Sequence, residues 1–295
     1  MQAPLDAGAV EGGESRAIAA PDREASALFW RGTTTFIRPP KTRPLQNGAR
    51  WGQTAPVMTE STPRIAIVIP VYNEEGILHS AVVDLRERLA PLGWSYEIIL
   101  AENGSKDRTV ELARTLSEKY PEVRYITAGA PDYGKALREG ILATTAEIVI
   151  CDEIDLCDTD FHQRAVTALD SGSADLVIGS KLIDGAEDER PLLRHAASIA
   201  YTGLLRTLLG FKGTDTHGLK AFRRSKLLPI VNACLVNKDV FASEMVIRAY
   251  RDQLKVKEIP IRVIEKRPPS INLFKRVPNV LKSIAKLTWA IRIKG

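Results

Sequence analysis

A short apolar run, Ile148 to Cys151, leads straight into five carboxylates: Asp152, Glu153, Asp155, Asp158 and Asp160. The run reads as a buried parallel strand that stops abruptly at Asp152. Open α/β sheets take ligands at the carboxyl ends of their strands, so a carboxylate cluster there is placed to meet one. Glu153 and Asp155 are two residues apart, so in an extended segment their side chains project to one side and can grip a single divalent cation. A cation held there would in turn hold a diphosphate. A solvated acidic loop is the alternative reading of this segment taken alone.

The elements around it form a repeating pattern. From Arg64 the chain reads IAIVIPVYNEE, a five-residue apolar strand, a proline that ends it and a polar turn. Gly76 to Pro91 carries Ile77, Leu78, Ala81, Val82, Leu85 and Leu89 at helical spacing. Strands are expected at Tyr96–Ala101, Val123–Ile126 and Asp175–Gly179, with helices at Thr109–Tyr120, Lys135–Thr144 and Phe161–Leu169. Strands alternating with helices at this spacing build βαβ units, so the predicted class is α/β with a mostly parallel sheet flanked by helices. That topology brings Tyr72–Glu74, Glu102–Ser105 and the carboxylates from Asp152 to one edge of the sheet. A dinucleotide-binding domain is disfavoured, because no GxGxxG follows any of these strands and no GxxxxGK[ST] loop occurs.

Composition bounds the rest. The chain has 295 residues, 44% hydrophobic and 26% charged, enough to bury a full core. Three scattered cysteines, Cys151, Cys157 and Cys234, make neither a disulfide framework nor a metal knuckle, which predicts a reducing, cytoplasmic setting. An acidic, small-residue N-terminus without an apolar stretch predicts no secretory signal, and no apolar run of 18 residues occurs. Residues 1–63 hold seven of the 17 prolines and are expected to be disordered or weakly ordered; Met58 is an alternative start. Of the net charge of +5, the tail from Lys266 to Gly295 contributes +8 and the body before it −3. A basic end on a mildly acidic body suits an anionic surface better than nucleic acid.

Six stretches carry a family likeness. VIPVYNEE at 68–75, ILAENGSKDRT at 99–109, YGKALREG at 133–140, the acidic end at 152–155, GTDTHGLKAFRR at 213–224 and FASEMVIRAY at 241–250 occur in the order of the family 2 glycosyltransferase motifs. The likeness covers about residues 64–275 and resembles most the dolichol-phosphate mannose synthase, or polyprenyl-phosphate glycosyltransferase, branch. The resemblance implies a GT-A fold over 64–275. It implies that Pro70, Tyr72 and Glu74 line a nucleotide pocket. Glu102 and Asn103 stand where the family carries two aspartates that touch base and ribose, and Lys135 would sit near base or phosphates. Glu153 and Asp155 occupy the DxD position, with Asp152 as a substitute first member, and His217 falls where some GT-A enzymes supply a late metal ligand. Among the basic residues of the second half, family position favours Arg190, Arg194 and Lys220 for handling phosphate. Glu244 matches a family carboxylate, with pairing to an arginine as the alternative. Two departures stand out: AENG replaces DDG, and DEID replaces DAD. His79, His162 and His195 read as structural or surface residues.

The tail, residues 276–295, reads as a basic amphipathic helix. Val280, Leu281, Ile284, Leu287, Thr288 and Ile291 fall on one face, Lys282 and Lys286 off it, and Trp289 suits an interface. Membrane-surface binding is expected; docking on the body or on a second copy of the chain is the alternative. Together these readings predict a cytoplasmic glycosyltransferase, peripheral on the inner membrane face and dependent on Mg or Mn. It would move a sugar, with inversion, from a nucleoside diphosphate sugar to a polyprenyl phosphate. A soluble small-molecule acceptor and a non-catalytic nucleotide-sugar-binding protein are the competing readings.

Overall fold

The computed structural model describes residues 62–263 and 273–294. The segment expected to be disordered lies outside these residues, save its last two, as does the chain around Lys266.

The first half alternates as expected: β1 (Ile65–Val71), α1 (Leu78–Leu89), β2 (Tyr96–Glu102), α2 (Thr109–Lys119), β3 (Val123–Thr127), α3 (Tyr133–Ala143), β4 (Ile148–Cys151), α4 (Thr159–Asp170) and β5 (Leu176–Ser180). A short strand β6 (Glu187–Asp188), helix α5 (Leu192–Leu209), β7 (Lys220–Arg223), α6 (Arg224–Ala233), α7 (Phe241–Arg251), β8 (Val256–Pro260), β9 (Arg262–Val263) and α8 (Leu273–Arg292) follow. Seven strands form one sheet in the order β3-β2-β1-β4-β7-β5-β8, parallel except for β7, which runs antiparallel to both neighbours. The strand order reverses between β1 and β4, and the crevice at such a reversal is where open α/β sheets receive ligands.

The sheet is covered on both sides. Ala66 and Val68 of β1 face a core shared with α3, α6, α7 and α8, while Ile65, Ile67, Ile69 and Val71 face one shared with α1, α2 and α4. Burial on both faces explains why these strands read as unbroken apolar runs. Gly140 lets α3 press against β1, because a methyl group there would meet the Val68 side chain at 2.3 Å.

Pro70 does not end β1 but lies inside it, paired with Ala101. Val71 turns its carbonyl toward β2, accepting from Asn103, and Val68 turns its own toward β4, accepting from Asp152. Pro70, two residues beyond Val68, therefore faces the side where β4 has already stopped, so its missing N–H breaks no ladder bond.

The tail helix also departs from expectation. Ile284, Leu287, Ala290 and Ile291 are buried, the last three in the core that α7 lines. Arg248 and Arg251 of α7 donate to the carbonyls of Ala290 and Ile291 at 3.4 and 2.7 Å, satisfying groups that a helix end leaves open. Of the stripe predicted to meet a membrane, Ile284, Leu287 and Ile291 are buried on the body, while Val280 and Leu281 stay exposed.

Candidate active site

Three strand ends meet at the β1/β4 crevice. After β1, the turn from Tyr72 is bound to the turn after β2: Ser105 Oγ accepts the Asn73 N–H at 3.1 Å, Asn73 Oδ1 accepts the Lys106 N–H at 2.8 Å, and Thr109 Oγ1 accepts the Glu74 N–H at 2.7 Å. Asn73 has φ of 54°, a left-handed conformation that asparagine tolerates better than most side chains. Tyr72 is left exposed beside this seam.

Glu102 and Asn103 are buried, and both spend acceptors on the protein. Glu102 takes the Ser105 N–H at 2.5 Å on one carboxylate oxygen, closing the AENG turn. Asn103 Oδ1 takes the Asp132 N–H at 2.5 Å, so its amide N–H pair is what it has left to offer. Asp132 caps α3 through the Lys135 N–H at 2.9 Å, and Lys135 Nζ donates to the Ala128 carbonyl at 2.8 Å.

After β4 the two expected cation ligands differ from their neighbour. Asp152 is buried with both oxygens engaged, one by the Glu153 N–H at 2.7 Å and one by His162 Nε2 at 2.6 Å, so it does not act as a first ligand. Glu153 and Asp155 accept no side-chain hydrogen bond within the described residues. Burial first, then the Asp155 carboxylate, push Glu153 up to about 7, against the pull of Lys181 and Lys220. Tyr133, at the start of α3, is about a third exposed, and its hydroxyl is pushed well up by burial and then by the carboxylates of this loop, Glu153 foremost. It lay inside a quoted motif without a role.

The second half supplies cations. Lys181 Nζ is 2.6 Å from Asp215, and Asp215 also accepts the His217 N–H at 2.8 Å. Burial would raise Asp215, but Lys181 outweighs it and the carboxyl is lowered. Gly218 lets this segment lie directly on β5, where a methyl group would sit 1.7 Å from the Gly179 carbonyl oxygen. Lys220 is only 3% exposed, donates to the Gly218 carbonyl at 2.6 Å, and is lowered chiefly by burial. It balances charge beneath the acidic pair and does not line the cleft where a phosphate clamp would stand. That cleft, of about 500 Å³, is lined by Lys181, Arg190, Arg194, Tyr201, His217 and Leu281, among others. Arg190 is held in it by a two-pronged contact to Asp188, 2.7 Å on each prong.

Two further residues are placed by the fold. His217 lies in the cleft, and no group of three His, Cys, Asp or Glu side chains able to hold a metal occurs among the described residues. The His217 ring packs edge-on against Tyr201, centroids 4.9 Å apart. Glu244 is fully buried and committed to structure, accepting the N–H groups of Leu235 and Val236 and the Arg248 guanidinium at 2.8–3.0 Å.

A family model described as glycosyl transferase family 2 matches residues 66–229, more than half of the chain. This chain is a family 2 glycosyltransferase. The enzyme is 26% identical over 242 residues to glycosyltransferase AglD of Haloferax volcanii, covering 80% of this chain and 39% of that protein. It is 26% identical over 220 residues to a dolichyl-phosphate beta-glucosyltransferase of Trichomonas vaginalis, covering 70% of this chain and 65% of that one. The chain thus spans less than two thirds of the length of either relative. Its fold is GT-A. It superposes with a TM-score of 0.56, at 18% identity and over 78% of this chain and 80% of the other, on glucosyl-3-phosphoglycerate synthase of Mycobacterium tuberculosis, solved with Mn2+, UDP and glucosyl-3-phosphoglycerate.

The acidic pair fits a divalent cation. Among the described residues the two carboxylates accept no side-chain hydrogen bond, and Glu153 is burdened by burial and by Asp155, a condition that a cation relieves. Mg2+ is ordinarily held by one or two carboxylates, with water and substrate phosphate completing the shell, so a third protein ligand is not required.

Proposed function

We propose that this glycosyltransferase moves a sugar from a nucleoside diphosphate sugar to a polyprenyl phosphate at a membrane surface, with inversion at the anomeric carbon. The observation that carries this reading is the two-natured cleft. Lys181, Arg190 and Arg194 bring positive charge to one part, of which Asp215 offsets the share of Lys181, and Ala197, Ala200, Leu204, Val280 and Leu281 make another part apolar. An anionic head on a hydrocarbon chain matches both. Lys181 belongs to the cleft and also acts on Glu153, which links an acceptor phosphate there to the donor side. The dolichyl-phosphate enzyme among the relatives supports the same acceptor class.

Glu153 and Asp155 would hold Mg or Mn, which when bound neutralises the leaving diphosphate. The chain's own cations orient the acceptor, and an acceptor phosphate already ionised at neutral pH needs no strong general base. Tyr72, Asn103 and Lys135 border the donor pocket. Exposed apolar side chains near the cleft support a peripheral membrane position: Leu192 (88% exposed), Leu193, Ile199 and Leu208 on α5, Leu281 and Trp289 on α8, and Ile293 just past its end. No helix among the described residues is long and apolar enough to cross a membrane.

The test is transfer of labelled sugar from UDP-glucose and GDP-mannose, each with Mn2+, to a short polyprenyl phosphate in detergent and to 3-phosphoglycerate. Product on the polyprenyl phosphate with a β linkage is expected. Product on the small acid alone overturns the lipid acceptor. Binding of a nucleotide sugar with no transfer to either points to a non-catalytic protein.

A further inference from the structure

The loop that carries Glu153 and Asp155 is closed at its two ends by one side chain. Asp152 is the last residue held by the sheet, its N–H donating to the Val68 carbonyl at 3.0 Å. From there the Glu153 carbonyl accepts the N–H groups of Leu156 and Cys157 at 3.0 and 3.1 Å, and Asp158 caps α4 through the Phe161 N–H at 3.0 Å. His162, in the first turn of α4, reaches back beneath this loop to the Asp152 carboxylate at 2.6 Å, and both side chains are fully buried. The other Asp152 oxygen accepts the Glu153 N–H. A single carboxylate therefore grips the backbone of a candidate ligand on one side and the following helix on the other.

The imidazole is not there merely to fill space. A carboxylate opposite Nε2 places the ring proton on that nitrogen, and Nδ1 is buried without a hydrogen-bond partner among the described residues. A buried, unsatisfied nitrogen costs stability that a leucine of similar volume would not, so the bond to Asp152 is what the imidazole supplies in return. Without it, Asp152 would be a desolvated carboxylate beside Glu153 with only one donor. The simplest relief is for the loop to turn toward water, carrying Glu153 and Asp155 apart.

We infer that His162 is a positioning residue which, through Asp152, holds Glu153 and Asp155 in the arrangement that binds the cation. This rests on the proposed cation site, and the experiment separates the two. Mn2+ is titrated into the purified full chain, alone and with UDP or GDP, and the loss of the free-ion electron paramagnetic resonance signal is followed. Wild type binds Mn2+ in at least one condition. His162→Leu binds it about tenfold more weakly, the loss typical when an outer partner of a metal site is removed. His162→Gln, whose amide N–H can reach Asp152, recovers most of the affinity. Leu116→Ala, at a core-facing position of α2, lowers the melting temperature but leaves Mn2+ affinity at the wild-type value. Equal affinity of wild type and His162→Leu overturns the positioning role alone, as does a loss in Leu116→Ala as large as in His162→Leu. No Mn2+ binding by wild type in any condition removes the cation site and this role with it. Should His162→Leu fail to fold, His162→Asn, whose shorter amide stops short of Asp152, is read by the same outcomes.

Discussion

Glu153, half-buried in the loop after β4, and Glu244, fully buried in the first turn of α7, both lose contact with water, yet among the described residues only Glu244 is given hydrogen-bond partners. Three donors converge on it: two main-chain N–H groups from the turn ahead of α7 and the Arg248 guanidinium one helical turn away. Nothing in the described residues does this for Glu153, whose nearest influences are a second carboxylate and two lysines that do not bond it. A buried charge that is fully hydrogen-bonded holds a structure together. One left without partners costs stability, and such groups persist where a ligand completes them. The contrast is why two glutamates that both match family positions are assigned different work.

The largest expected effect is on the unpartnered side. Asp155→Ala should reduce sugar transfer by about a thousandfold, equivalent to about 4 kcal/mol of lost charge stabilisation, with a melting temperature equal to or above wild type. A clear fall in melting temperature would instead make the pair structural. Glu244→Leu should do the reverse. It strands Arg248 and two N–H groups, so denaturant titration should show a loss of about 3–5 kcal/mol, while transfer per folded molecule stays near wild type. A turnover loss matching that of Asp155→Ala would return Glu244 to the catalytic group.

A smaller effect sharpens the same point. Adding Arg248→Met to Glu244→Leu should recover the part of the loss due to the stranded guanidinium. About 1–3 kcal/mol should remain for the N–H groups of Leu235 and Val236. Full recovery would mean the turn does not depend on Glu244.

The smallest effect is the pH response of the cation-free protein. In the folded state burial and the Asp155 carboxylate push Glu153 up to about 7, above the ordinary glutamate value of about 4.3 of the unfolded chain. Between those values the folded state keeps a proton that the unfolded state has released, so stability falls as pH rises through that window. Melting curves in chelator should show this decline, and Glu153→Gln should flatten it. An unchanged slope in the variant would mean that Glu153 is solvated after all.

Much of the fold was legible because parallel strands buried on both faces write themselves as apolar runs and the helices between them keep a period. Strands β1 to β5 fall within a residue or two of their expected places. The exception, Pro70, follows from a fact outside its own neighbourhood, that β4 stops two residues short of it. Antiparallel β7 and the pairing of β5 with β8 involve partners far apart in the chain, which no local pattern records. In the site, types and spacing pointed to Glu153 and Asp155. They could not tell that Asp152 turns inward to His162, that Lys220 is buried against the Gly218 carbonyl, or that Lys181 pairs with Asp215.

Helix α8 marks the boundary most plainly. Its periodicity alone determined that one stripe of the helix avoids water, since apolar area drives burial whatever the partner. Which partner covers that stripe is a matter of geometry: Leu287, Ala290 and Ile291 meet α7, while Trp289 and Ile293 are turned outward. The same holds for the carboxylates. Their number and spacing were set by the sequence, but whether each became a ligand, a clasp or a cap was decided by which N–H groups the tertiary structure brought within about 3 Å, because only a buried charge with donors at that distance is satisfied.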